Sequence, residues 1–166
     1  STFKITDLKM SDPPLEIQNL EGKGILKNSK LTHDLKGNLL GGKISTKGIL
    51  VFQKIKEQTL ITANSNLSLK QVNLDWVPRI YKSEWAPTSG TVTGNLNIKG
   101  PLPPDGKISP ALKLKGILQA DKLVSGDKQI EKAKLEFKES SSTLTQVQVE
   151  LEKIQLGERR FKKMIG

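Results

Sequence analysis

The chain has 166 residues, 35% of them hydrophobic and 4% aromatic, which suits one domain with a modest core. It has no cysteine, which excludes a disulfide and a thiolate metal site. Its formal charge of +10, carried almost entirely by lysine, suits nucleic acid, acidic lipid headgroups or lipopolysaccharide, and equally a solvated strand face whose lysines discourage edge-to-edge aggregation.

Alternation of apolar and polar residues begins near the N-terminus and recurs almost throughout. It predicts strands over 3–8, 15–20, 24–30, 34–40 and 43–54. The clearest strand, LITANSNLSLK, places Ile61, Ala63, Ser65, Leu67 and Leu69 on one face, against Thr62, Asn64, Asn66, Ser68 and Lys70. The period then changes. VNLDWVPRIYKSEW carries Leu74, Val77, Ile80 and Tyr81 at helical spacing, with Asp75 placed to cap and Pro78 in the first turn, so one short helix is predicted near 74–82. The stretch 72–90 is a candidate hinge. TVTGNLNIKG resumes the strand pattern with Val92, Leu96 and Ile98 on one face. PPDG at 103–106 is a turn. ALKLKGILQA follows with Leu112, Leu114, Leu118 and Ala120, then AKLEFKE with Ala133, Leu135 and Phe137, and QVQVELE with Val147, Val149 and Leu151. SGD at 125–127 and ESSS at 139–142 are expected hairpin loops. The basic GERRFKKMIG at 157–166 is expected to be a tail, able to touch an anionic membrane surface, or the start of another strand.

About ten strands with one polar face each imply antiparallel pairing, since parallel strands would need crossover helices for which there is no room. The expected architecture is mainly β, a single domain over 1–166: a strongly curved antiparallel sheet, forming a partial barrel or groove, with one short helix.

Lys-Gly-x-Leu occurs five times, as KGIL at 23–26, 47–50 and 115–118, KGNL at 36–39 and KGPL at 99–102. A P-loop would require G-x-x-x-x-G-K-[S/T] between a strand and a helix, and no such run exists. Alternation puts Lys115 opposite the apolar face, while Gly100 and Gly116 continue it, and a strand glycine marks a bulge, a bend or a close approach. Two outcomes fit that pattern. The apolar face is either a trough for apolar chains or a packed core with glycines as twist points.

Little here suggests catalysis. His33 is the single histidine, with Asp34 its one adjacent carboxylate, and reads as a solvated loop residue rather than a metal ligand. No Gly-x-Ser-x-Gly elbow is present, and Glu136, Glu139, Glu150 and Glu152 read as solvent-facing partners of lysines. No enzymatic activity, metal or cofactor is expected. Nucleic acid is not an expected partner, because single-strand binders stack bases on clustered aromatics, whereas Phe3, Phe52, Phe137 and Phe161 are dispersed. Trp76 and Trp85 bracket the expected helix and suit either a lipid interface or packing over an open sheet end.

Three segments resemble AsmA-like proteins. THDLKGNLLGGKISTKGIL at 32–50 is similar to a short strand leading through a Gly-Gly pair to an alternating strand, and LSLKQVNLDWVPRIY at 67–81 to the strand and short helix that follow. SGTVTGNLNIKG at 89–100 is similar to the family's next strand, while KLKGILQADKL and AKLEFKES resemble the strand repeats of the TamB branch. The resemblance covers residues 15 to 156 and implies a β-taco-like groove in the periplasmic region of a larger, inner-membrane-anchored envelope protein of Gram-negative bacteria. It implies phospholipid or another acyl lipid as the ligand, with a membrane surface or outer-membrane assembly proteins as further partners, and no catalytic motif. The sequence departs from the family in its lysine content and in lacking the anchor, as a piece of such a protein would. The expected groove lining is Leu67, Leu69, Val92, Leu96, Ile98, Leu112, Leu114, Leu118, Leu135, Phe137, Val147, Val149 and Leu151. The alternatives are a structural β-repeat module with a self-filled core, and a basic nucleic-acid-binding β-domain.

Overall fold

A computed structural model describes residues 2–11, 14–55, 58–75, 77–80, 83, 86–102, 111–138 and 146–166. Ten strands form one antiparallel sheet in simple meander order: β1 (Thr2–Ser11), β2 (Pro14–Lys27), β3 (Lys30–Leu39), β4 (Gly42–Ile55), β5 (Gln58–Asn73), β6 (Ser89–Leu102), β7 (Lys113–Ser125), β8 (Lys128–Lys138), β9 (Gln146–Leu156) and β10 (Arg159–Ile165). The sheet does not close: among the described residues β1 pairs only with β2 and β10 only with β9. A single helical turn, Val77–Ile80, stands between β5 and β6. Trp76, Tyr81, Lys82 and Trp85 lie outside the described residues, as do the turns expected at 103–106 and 139–142.

Local sequence explains the tight hairpins. Asn28 and Ser29 both take positive φ (49° and 58°) between the paired Lys27 and Lys30, and Leu40 and Gly41 do so (49° and 76°) between Leu39 and Gly42. Positive φ at both central positions gives a two-residue turn whose twist matches that of the strands. At the β7–β8 and β9–β10 turns, Gly126 and Gly157 (both φ 59°) supply positive φ at the first position alone, the pattern of a type II′ turn. The second of these turns makes 159–165 a strand rather than a tail.

Several strands are longer than their alternation suggests, for a specific reason. Residues three apart in a regular strand point to opposite faces. Yet Ile17 and Leu20, Leu69 and Val72, Ala120 and Leu123, and Leu151 and Ile154 are apolar pairs at that spacing. Each pair encloses a non-glycine residue in the left-handed region: Asn19 (φ 51°), Gln71 (53°), Lys122 (54°) and Lys153 (50°). Such a residue rotates the backbone and brings the next apolar side chain back to the original face. The β2–β3, β5–β6 and β6–β7 ladders shift register at or beside the first three. At the β5 slip, the Gln71 amide donates to Thr93 Oγ1 at 2.9 Å.

Candidate functional site

Register carries the apolar face across the sheet. Paired residues share a face in an antiparallel ladder, so it can be followed strand by strand. Leu67 lies opposite Leu96, and Gly94 is bracketed by Leu69 and Leu118. Ile98 faces Leu114, and Val92 faces Ala120. Leu118 meets Leu135, which meets Val149; Phe137 meets Val147, and Ala133 meets Leu151. Leu112 precedes β7 and lies beside Gly100. All thirteen expected lining residues therefore belong to one patch spanning β5 to β9.

The face is wider than expected. It continues through Leu50, Thr46 and Ile44 on β4 to Leu31, Leu35 and Leu39 on β3, and on to Leu20 and Ile17 on β2. In the other direction it reaches Met164 and Phe161 on β10. The signal was the same alternation in 34–40 and 43–54, interrupted by threonines and glycines. The buried strand residues lie on this face, among them Leu20, Leu39, Ala63, Val72, Ala120, Ala133 and Ile154. Small side chains are covered by their neighbours, whereas Leu67, Leu96, Leu114, Leu118 and Leu135 remain half-buried.

Solvent contact is large for the mass. The chain exposes 11672 Å² at 18.3 kDa, against roughly 8100 Å² for a compact monomer of that mass. A broad sheet whose apolar face no described residue covers fits such an excess.

The Lys-Gly-x-Leu glycines fall on this face. Gly24 and Gly48 flank His33, Gly37 faces Ile44, Gly100 faces Ala63, and Gly116 lies between Leu96 and Phe137. At Gly116 (φ 141°) a Cβ would sit 2.1 Å from the Asn95 carbonyl oxygen. At Gly48, Gly100 and Gly116 the glycine thus admits neighbouring backbone, while the lysine before each is exposed.

His33 overturns its expected place in a solvated loop. It lies within β3 and is only 6% exposed, because strand alternation puts it on the apolar face beside Gly24 and Gly48. Its Nε2 is 3.1 Å from Thr46 Oγ1, while its Nδ1 and the buried Ser65 Oγ lack hydrogen-bond partners among the described residues. Burial lowers the imidazole pKa from 6.5, with the nearby Asp34 carboxylate opposing the shift. Among the described residues no cluster of His, Asp and Glu could hold a metal ion.

The opposite face is largely polar, with cross-strand ion pairs and hydrogen bonds among its side chains. Glu21–Lys36 (3.1 Å) and Asp34–Lys47 (3.0 Å) are ion pairs between residues directly opposite in the ladder. Asn97 donates to its ladder partner Asn66 at 3.0 Å. Glu150 pairs with Lys163, whose hydrogen bond lowers the carboxyl pKa and raises that of the amine. Glu136 lies within ion-pair distance of Lys134 and Lys138.

A cavity of 690 Å³ lies along β7 to β10, where Leu123, Ile130, Ile154 and Phe161 meet cationic side chains. No helix among the described residues is long and apolar enough to cross a membrane. No protein-family model, curated protein or solved structure matches the chain.

Proposed function

We propose that this chain is a non-enzymatic lipid-handling module whose apolar sheet face takes up acyl chains. The observation that carries this reading is the largely apolar face running from β2 to β10, half-exposed along its leucines, on a molecule with far more surface than a compact monomer of its mass. Acyl chains suit such a face because they require area and no directional hydrogen bonds, at about 25 cal/mol per Å² removed from water. Curvature of the sheet, with this face inside, would make the face a groove, and strand glycines at positive φ (Gly90, Gly100 and Gly116) favour that curl. The resemblance to AsmA-like and TamB-like proteins supplies the biological setting: the periplasmic part of an inner-membrane-anchored envelope protein, moving phospholipid toward the outer membrane or serving outer-membrane assembly.

Native mass spectrometry of the protein purified without detergent tests this. Bound phospholipid or fatty acid at a defined stoichiometry supports it. A protein that carries no lipid and takes none up from added phospholipid refutes it. The sheet edges at β1 and β10, which no described strand pairs, favour a second reading, a structural β-module whose edges are extended by further strands. It predicts self-association without lipid uptake.

A further inference from the structure

The cavity at the β7–β10 end differs chemically from the rest of the face. Its floor is made by Leu123, Ile130, Ile154 and Phe161, joined in one ladder row: Leu123 pairs with Ile130, Ile130 with Ile154, and Ile154 with Phe161. Ile154 is 2% exposed and Phe161 40%, so the floor runs from buried to open. Lys122, Lys153, Arg160 and Lys162 also line it, and Glu131 is the single carboxylate among its lining residues. Glu131 is engaged by Lys153 at 2.8 Å. Three further cations thus border an apolar floor with no second carboxylate there to balance them. The adjoining cavity adds Glu152 and Lys163 in equal number and leaves the excess unchanged.

We propose that this end of the face is a headgroup subsite for an anionic phospholipid, with the phosphate at Lys122, Arg160 and Lys162 and the acyl chains starting over Leu123, Ile130, Ile154 and Phe161. The inference rests on the lipid-handling reading and adds charge selectivity to it. A phosphate among lysines and arginine gains charge-assisted hydrogen bonds, whereas a choline headgroup would bring its own cation into a positive rim.

The test is an amide NMR titration of the intact chain with dihexanoyl phosphatidylglycerol and, separately, dihexanoyl phosphatidylcholine, both below their micellar concentrations. Binding of the glycerol lipid at least tenfold tighter, with shifts centred on Leu123, Ile130, Ile154 and Phe161, supports the proposal. So does a fall of that preference to within twofold in a doubly substituted Arg160→Gln, Lys162→Gln protein. Both residues are exposed on the edge strand, and an unchanged circular dichroism spectrum verifies the fold. Equal affinity for the two lipids overturns the subsite and leaves the lipid-handling reading standing. Binding of neither overturns both. Inorganic phosphate binding there as tightly as the lipid overturns the subsite in favour of a simple anion site.

Discussion

Gly116→Ala is expected to cost about 3–4 kcal/mol, far more than a helix-free surface glycine would. The new Cβ would lie 2.1 Å from the Asn95 carbonyl oxygen and 3.1 Å from Leu96 Cα, both backbone atoms of the adjacent strand. No side chain can rotate away to relieve those contacts. Either β6 retreats by about 1 Å, losing ladder hydrogen bonds worth about 1 kcal/mol each, or alanine holds φ 141°, at a strain of about 1–3 kcal/mol. Gly126→Ala is the control: it also has positive φ (59°), but a Cβ there meets nothing within 4 Å, so only backbone strain of about 1–2 kcal/mol remains. Urea unfolding followed by far-ultraviolet circular dichroism measures both. The Gly116 variant should lower the midpoint at least twice as much, with the m-value unchanged. Equal losses would refute the idea that the Lys-Gly-x-Leu glycines exist for close strand approach.

Gln71→Gly should raise stability by up to about 1 kcal/mol, because glycine occupies the left-handed region without a Cβ penalty; a lower unfolding midpoint would show that the slip does not depend on that conformation. Val72→Ala should cost about 2–3 kcal/mol at a side chain 2% exposed. Ile117→Ala, on the opposite face at 43% exposure, should cost under about 1 kcal/mol; similar losses at the two sites would contradict the facial assignment. His33 has its pKa lowered by burial, so its contribution is complete above the unfolded value near 6.5 and is lost as pH falls through the depressed folded value. Urea midpoints should therefore fall between pH 7.5 and 5, and His33→Gln should flatten that dependence. Lys47→Ala and Lys36→Ala should each change stability by under about 1 kcal/mol, since both ion pairs are exposed.

Much of the sheet was legible because alternation is a direct record of which side each residue faces. LITANSNLSLK, TVTGNLNIKG and ALKLKGILQA mark the central strands β5, β6 and β7, and the thirteen expected lining residues fall on one face through register. What alternation could not show was its own interruption. At Gln71, Lys122 and Lys153 the apolar phase slips by one residue, which reads as a strand end in sequence but is a left-handed residue inside a continuing strand. Alternation predicts one strand over 24–30, whereas Asn28 and Ser29 form a turn there; both take positive φ, and neither is the glycine that usually announces it. His33 was misplaced because polar residues are assigned to loops by default, whereas two flanking strand glycines made room for an imidazole on the apolar side. The cationic cavity was hidden for a different reason. Its lysines come from β7, β9 and β10, and only pairing brings them to one row.

Photo-crosslinking tests the central claim most directly. Benzoylphenylalanine at Leu96, Leu118 or Leu135, and in separate proteins at Asn95, Lys115 or Lys134, reports which side of the sheet meets lipid in membranes or added phospholipid vesicles. Adducts from the first three sites, with little from the second three, are the predicted result. Equal yields from the two sets, or no lipid adduct at any leucine site, would contradict the account.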